Sequence, residues 1–285
     1  TEQVIGTMVP QLEAAEMLYA ERGVRRFSAA DDLALQAQKW FSAFFRGGDA
    51  QQLPDVADLA QKAVDLDPTS TRAWYVLAMA WSWQVFNGSA EDREEANTRA
   101  RFAADKLMAL APNDALSFHT RGLVAIHSGE WESGMADLRR AFEINPNDTA
   151  VIYLSFAEAR AGNTREARAL ADRGMRINPR DAEVGTCILA KAMCAFIEGD
   201  MTEFQRWNAL AIQAQPSAPI RRVLMAAYAI EMGDDQLKTE HLEVLENRTP
   251  NFIPNLFDGT YRPFVQDKHM DRLLTILRTG GLGPK

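Results

Sequence analysis

Residues 162–179 read GNTREARALADRGMRINP, and their spacing of small residues is typical of a helical repeat. Small residues at Ala167, Ala171 and Gly174 recur at helical spacing, which is the pattern of a helix packed closely against a neighbour. The proline that ends the stretch stops a helix, because it lacks a backbone N–H and clashes with the preceding turn. The stretch therefore predicts the second helix of a helical hairpin, with a turn glycine before it.

Prolines at the same point of an apolar helical run return along most of the chain. They are Pro68, Pro112, Pro146, Pro179, Pro216 and Pro250. The intervals are 44, 34, 33, 37 and 34 residues. A period of about 34 residues with two helices is typical of tetratricopeptide (TPR) repeats, which bury their apolar faces by stacking on their neighbours. The sequence predicts an all-α fold, a TPR-type helical-hairpin solenoid of about six repeats.

The third unit, which ends at Pro146, is the most regular. It carries Gly122 and Gly134 where the two helices of a TPR touch. Each glycine costs roughly 1 kcal/mol relative to alanine in a lone helix. We therefore expect the two helix backbones of this unit to approach each other closely.

The two ends of the chain depart from the repeat, so the sequence divides into three parts. Residues 1–30 form an N-terminal linker with a helix predicted from Pro10 to Gly23, and residues 31–250 form the solenoid. Residues 251–285 form a C-terminal capping segment with an amphipathic helix, because stacked repeats need a terminal element to cover the last apolar face.

Composition narrows the class of protein. The 31 basic and 39 acidic residues give a net charge of −8, which argues against a nucleic-acid surface. No apolar run approaches a membrane span and no signal peptide is evident, so we expect a cytoplasmic protein without a membrane contact. Thr1 in place of methionine suggests a piece of a longer chain. Cys187 and Cys194 lie about 10.5 Å apart along one helix, beyond disulfide reach, and are expected to be buried thiols.

No catalytic constellation is evident. The four histidines form no HExxH motif and no pair at i, i+4 that would bind one metal from one helix. His119 and His127 are two turns apart and could share a helix face, but a groove-lining or packed role is favoured over a metal site. We therefore predict no enzyme activity, no metal and no cofactor for this region.

The resemblance to TPR repeats implies that the first helix of each pair lines a concave groove, at fixed positions of the repeat. The predicted groove residues, offered as a partner- or ligand-binding set, are Arg72, Tyr75, Met79, Trp83, His119, Leu123, His127, Ile152, Phe156 and Arg160. Their aromatic and apolar character favours an apolar peptide, a folded-back helix or a small molecule. The alternative is that tight coiling of the solenoid buries the same residues as core.

Three blocks outside the repeat carry a more specific resemblance. They are MVPQLEAAEMLYAERG (8–23), DDLALQAQKWFSAF (31–44) and YRPFVQDKHMDRLLTILRTGGL (261–282). In this order around the repeats they resemble the C-terminal TPR regions of bacterial class III adenylate/guanylate cyclases and of winged-helix transcriptional regulators of similar build. In that family an output domain precedes the repeats, and this chain carries neither the cyclase's metal-binding aspartates nor the regulator's basic recognition helix.

The resemblance implies a non-catalytic protein-interaction or sensory module that regulates an attached or partner output domain. The alternative is a stand-alone TPR scaffold or co-chaperone that binds a peptide in its concave groove. The expected partner is a protein or peptide, with a small apolar ligand as a second option and homodimerisation left open. No direct contact with nucleic acid is expected from this region.

Overall fold

The computed structural model describes residues 28–146, 149–177, 179–216 and 218–284. Its elements are α-helices, joined by short turns and two 3₁₀ segments, Ala50–Gln52 and Ala182–Val184. The helices are α1 (Ala29–Phe45), α2 (Leu53–Leu66), α3 (Thr71–Asn87), α4 (Arg93–Leu110), α5 (Ala115–His127), α6 (Trp131–Ile144), α7 (Ala150–Arg160), α8 (Thr164–Ile177), α9 (Gly185–Glu198), α10 (Met201–Ala214), α11 (Pro219–Met232), α12 (Asp235–Arg248), α13 (Phe252–Phe257) and α14 (Asp267–Thr279). The helix predicted from Pro10 to Gly23 lies outside the described residues.

Consecutive helices pack as six hairpins, from α1/α2 to α11/α12, so the predicted TPR-type solenoid is confirmed. A glycine with positive φ follows the first helix of every hairpin, and Gly88 at φ 68° is an example. Glycine reaches this left-handed conformation without the penalty that a Cβ imposes, and it reverses the chain within a few residues. The other five are Gly47, Gly129, Gly162, Gly199 and Gly233.

The close approach predicted for the third unit is present between α5 and α6. A Cβ placed on Gly134 would lie 2.6 Å from the carbonyl oxygen of Gly122, and a Cβ on Gly122 would lie 2.9 Å from that of Gly134. Both distances are shorter than a carbon–oxygen contact allows. The two helix backbones therefore touch where both side chains are missing.

The solenoid coils until its first hairpin meets its fifth and sixth. The side-chain Nε2 of Gln215 donates to the carbonyl of Phe44 over 3.3 Å, and Arg248 pairs with Asp49. Helix α1 also packs on the 3₁₀ segment Ala182–Val184. One turn of the superhelix thus closes on itself, and its inner helices lose contact with water.

Helix α7 shows the result of this closure most clearly. All eleven of its residues are buried, including the charged Glu158 and Arg160. A helix that is apolar around most of its circumference must be enclosed by protein on all sides. It packs against α8, α9 and α6, and its C-terminal end meets the C-terminal segment.

The C-terminal segment packs on α11 through α14, and it also runs back across the ends of earlier inner helices. The N–H of Val265 donates to the carbonyl of Arg160 (2.9 Å), and Gln266 Nε2 donates to that of Ala161 (2.6 Å). Arg272 donates to the carbonyl of Phe196 at the end of α9. The segment therefore satisfies backbone acceptors that a helix leaves open at its C-terminus. The sequence did not predict this second role.

Among the helices in the described part of the chain, none combines the length and the apolar character needed to cross a bilayer.

The contact between α5 and α6 makes a specific prediction for Gly134→Ala. Helix propensity alone would raise the free energy of unfolding by about 1 kcal/mol. The new methyl group, however, would collide with the carbonyl of Gly122, so we expect a net loss of roughly 1–3 kcal/mol in chemical denaturation. Ser133→Ala, at an exposed position of the same helix, is the matched control and should change stability by less than about 0.5 kcal/mol. A Gly134→Ala protein as stable as the wild type would contradict the observed helix contact.

Candidate binding site in the solenoid interior

The ten predicted groove residues lie on the inner helices α3, α5 and α7, and nine of them are buried. Arg72 is partly exposed, whereas Met79, His119 and Ile152 have no exposed surface. The structure brings the set together in one cluster: the ring of Trp83 lies 5.0 Å from that of His127, and Tyr75 lies 6.4 Å from His119. Their burial matches the tightly coiled alternative. That they bind a partner stays a prediction.

Side chains from both ends of the chain complete the interior. Phe44 and Phe45 of α1 place their rings 5.9 and 5.1 Å from the indole of Trp83. The ring of Tyr261, in the C-terminal segment, lies 5.4 Å from that of Phe86. Sequence reasoning missed Phe44 and Phe45 because it took groove residues from the second, third and fourth repeats, and it missed Tyr261 because that residue lies outside the repeats. Three phenylalanines within Phe41–Phe45 were the only local signal of an aromatic contact.

His127 is a neutral imidazole in this interior. Its Nδ1 lies 2.7 Å from Ser82 Oγ, and its carbonyl accepts from Arg93 Nη2. Burial, assisted by the positive charge of Arg160, holds the pKa of His127 well below its usual value. A serine beside a neutral histidine could serve nucleophilic chemistry, but both groups are buried. The two side chains therefore form a buried hydrogen bond between packed helices.

His119 also has a lowered pKa. Its ring is 4.9 Å from Tyr153 and fully buried, and burial lowers its pKa to about 3. Burial likewise raises the pKa of Tyr153 well above its usual value. Both side chains are therefore uncharged at neutral pH.

Two buried arginines give the interior its positive charge. Arg160 donates to the carbonyls of Arg262 (2.8 Å) and Pro263 (3.2 Å), and its guanidinium lies over the rings of Trp131 and two phenylalanines. Arg221 donates to the backbone and side-chain oxygens of Gln215. No carboxylate of the described chain forms an ion pair with either guanidinium. Burial lowers the pKa of Arg221 to about 9.

A cleft partly open to solvent lies beside this cluster, where α3, α7, α9 and the start of α11 meet. It is narrow, because the space inside it that a water-sized sphere can occupy is about 10 Å³, which is room for about one water molecule. Its lining includes Trp83, Phe86, Phe156, Leu189, Gln215 and Arg221. Within the described chain, Trp83 Nε1 and Arg221 Nε lack a hydrogen-bond partner. The cleft therefore has apolar walls and two buried donors, but its volume suits a water molecule rather than a larger ligand.

Metal binding finds no support in the described residues, which form no group of three or more histidine, cysteine or acidic side chains. Cys187 and Cys194 are buried and unbridged, and burial raises the pKa of both thiols to about 12. A protonated, buried thiol is a poor nucleophile and a poor metal ligand.

Solved structures of similar shape identify the fold. PilW, a widely conserved type IV pilus biogenesis factor, matches with a TM-score of 0.51 at 15% identity over 79% of this chain and 96% of its own. TTC0263, a thermophilic TPR protein of Thermus thermophilus, matches with a TM-score of 0.50 at 19% identity over 66% of this chain and 96% of its own. The chain has a TPR-type helical fold.

A third similar structure is the human IFIT1 dimer with PPP-AAAA. Its TM-score is 0.61 at 13% identity, over 92% of this chain. The match covers only 62% of IFIT1, so this chain is shorter than that protein. Identities this low establish the shared fold alone. No family model matches the sequence, and no curated protein is significantly similar to it.

The shifted pKa of His119 makes folding pH-dependent. The unfolded chain binds a proton near pH 6.5, whereas the folded chain resists it until about pH 3. The full contribution of neutral His119 to the free energy of unfolding is therefore present above pH 6.5. It decreases as the pH falls towards 3, by roughly 3 kcal/mol at pH 4.

His119→Phe should remove the part of the pH dependence of the unfolding free energy that His119 causes. We expect the difference in unfolding free energy between wild type and variant to shift by roughly 3 kcal/mol in the variant's favour between pH 7 and pH 4, measured by urea denaturation at each pH. Parallel pH profiles for the two proteins would show that His119 is not held neutral by burial.

Proposed function

We propose that this chain is a non-catalytic TPR module that regulates an output domain, either attached to it or carried by a protein partner. The proposal rests on the burial of the inner helices. Because the inner helices are buried, a protein partner meets only the outer surface, while the interior remains for packing or for a small ligand. A change in the curvature of the solenoid would move the helices of the outer surface, and a partner bound there would be affected.

The outer surface offers a candidate docking edge. Leu66, Leu110 and Ile144 occupy equivalent positions, two residues before the repeat prolines, at the ends of α2, α4 and α6. They are 60%, 40% and 36% exposed. Apolar side chains repeated along one edge of a solenoid favour contact with another protein more than they favour solvent. We define these three residues as the outer edge.

The class of output domain rests on sequence resemblance. The blocks at residues 8–23, 31–44 and 261–282 resemble those of the C-terminal TPR regions of class III adenylate/guanylate cyclases and winged-helix regulators. We therefore propose a signalling role in the bacterial cytoplasm, with a cyclase or a transcription regulator as the regulated domain. A stand-alone scaffold that takes a peptide into its concave groove would first have to open the buried interior.

Nucleic acid is a second class of partner to test, because IFIT1 was solved with PPP-AAAA. The net charge of −8 opposes a phosphate backbone, and the buried arginines of the interior contact backbone carbonyls and rings. We therefore keep a protein as the proposed partner of the outer edge.

The test measures the output activity of the complete reading frame that contains this chain, or of its purified partner, with and without the double change Leu66→Lys and Leu110→Lys. Lysine at these exposed positions should weaken the docking contact while changing stability by less than about 0.5 kcal/mol. We expect a loss of regulation with folding intact. Met232→Lys, at another exposed apolar position on an inner helix, is the matched control and should leave regulation unchanged.

Two results would contradict the proposal. The first is cyclase or hydrolase activity in the purified chain alone. The second is an output activity that remains the same when residues 28–284 are deleted, since a regulatory module must alter the domain that it regulates. Binding of a 5′-triphosphate RNA by the purified chain at physiological salt would instead favour the nucleic-acid alternative.

A further inference from the structure

A strap within the C-terminal segment crosses the ends of three inner helices. We define the strap as residues 261–266 (YRPFVQ), which lie between α13 and α14 and form no helix. Arg160, the last residue of α7, binds its main chain: Nη2 and Nε donate to the carbonyls of Arg262 and Pro263 over 2.8 and 3.2 Å. The carbonyl of Arg160 accepts from the N–H of Val265 over 2.9 Å. One residue of the solenoid therefore holds three main-chain groups of the strap.

Two aromatic side chains fix the position of the strap along the helix ends. The ring of Tyr261 lies 5.4 Å from that of Phe86 near the end of α3, and the ring of Phe264 stacks on Phe196 near the end of α9 at 5.6 Å. Phe264 has no exposed surface and Tyr261 is 6% exposed, whereas Arg262 between them is exposed. Hydrogen bonds to the main chain, combined with separate sites for side chains, are the means by which proteins recognise extended peptides.

The link before the strap gives it freedom to lift. Asp258, Gly259 and Thr260 are exposed, and the N–H of Thr260 donates to the side chain of Asp258. Gly259 has φ 80°, and a Cβ placed on it would meet no atom beyond its chain neighbours within 4 Å. Rotation at this link would separate the strap from α3, α7 and α9 without breaking a contact within any of the six hairpins. The strap can therefore leave its site while the repeats stay folded.

The contacts of the strap decide which kind of peptide the site accepts. A helical peptide uses its carbonyls internally, so only a non-helical main chain can offer them to Arg160. The sites of Tyr261 and Phe264 each take an aromatic ring, three residues apart. A proline just before the second ring, at the position of Pro263, fixes φ in advance and lowers the entropy lost on binding.

We propose that the strap is an intramolecular ligand of a peptide-binding site at the ends of α3, α7 and α9, and that a protein partner displaces it with a non-helical peptide of the same chemistry. Because the strap is tethered, its effective concentration at the site is on the order of millimolar. It therefore inhibits the site in the isolated chain, and a partner binds only by outcompeting it. The proposal goes beyond the outer edge and needs no output domain, so its test can fail or succeed separately from the outer-edge experiment.

The test supplies the strap as a separate peptide to the full chain with the double change Tyr261→Ala and Phe264→Ala. The peptide covers residues 260–267 (TYRPFVQD) and has blocked ends. The double change empties both aromatic sites and leaves the residues that contact them in place. We expect saturable binding in isothermal titration, with a Kd of about 100 μM or tighter, and a rise in the thermal midpoint of the double variant when the peptide is added.

The controls separate displacement of the strap from general destabilisation. The wild-type chain should bind the peptide at least tenfold more weakly, because its own strap occupies the site. Leu277→Ala truncates a fully buried residue of α14 outside the strap, so it lowers stability without emptying the site and should bind no better than wild type. The same peptide with alanine for both aromatic residues should not bind the double variant. Adding Arg160→Met to the double variant should weaken binding at least tenfold, because two donors to the peptide carbonyls are lost.

Hydrogen exchange of the unmodified chain tests release of the strap without any variant. The N–H of Val265, relative to its rate in the unfolded chain, should exchange at least tenfold faster than that of Phe156 within α7. The reason is that the strap opens locally, whereas α7 exchanges only on wider unfolding. Equal protection of the two amides would show that the strap leaves only when the solenoid unfolds, and would overturn the proposal.

Three binding results would also overturn the proposal. They are no saturable binding by the double variant up to about 1 mM peptide, equal binding by the double variant and Leu277→Ala, and equal binding of the peptides with and without their aromatic residues. Tyr261→Ala alone, which keeps Phe264, takes the place of the double variant with the same expectations if the double variant does not fold.

Discussion

The first hairpin of the solenoid contacts the fifth and sixth, and this closing contact sets how the other helices are buried. It contains the hydrogen bond from Gln215 to the carbonyl of Phe44 and the ion pair of Asp49 with Arg248. Both members of the ion pair are partly exposed, and such pairs contribute about 0–1 kcal/mol. Beside this contact, Phe44 and Phe45 pack on Trp83 of the neighbouring second hairpin, and each buried aromatic side chain stabilises the fold by about 1.5–3 kcal/mol.

Closure explains why the inner helices carry so little polar surface. An open solenoid would expose Ile152, Tyr153 and Phe156 of α7 to water, at about 1.5–3 kcal/mol each. One charged group inside is hydrogen-bonded by an element far away in sequence, because Arg160 donates to the carbonyls of residues 262 and 263. The packing of the inner helices and the position of the C-terminal segment are thus consequences of one curvature.

The sequence predicted those features that depend on local spacing. The proline period and the turn glycines predicted the hairpins, and the pair Gly122 and Gly134 predicted a backbone contact that the structure contains. Repeat positions also placed Trp83, His119 and Phe156 on the inner helices. These inferences succeed because stacking in a TPR involves only neighbouring units.

The curvature of the solenoid could not be predicted from local spacing. It accumulates from a small rotation at each repeat, so the contact of Phe44 with Gln215, 171 residues apart, has no local signal. For the same reason the sequence left open whether the concave residues are a groove or a core. It also gave no indication that Arg221 would be buried without an acid, since an arginine at the start of a helix is usually exposed.

Oxidative footprinting of the unmodified protein tests the closed interior most directly. Met79 has no exposed surface, whereas Met232, on another inner helix, is 52% exposed; Trp83 and Trp40 differ in the same way, at 5% and 39%. A closed superhelix predicts rapid oxidation of Met232 and Trp40 by hydroxyl radicals, with Met79 and Trp83 protected until the protein unfolds. Oxidation of Met79 and Trp83 at rates similar to those of Met232 and Trp40 would show an open groove and contradict the account.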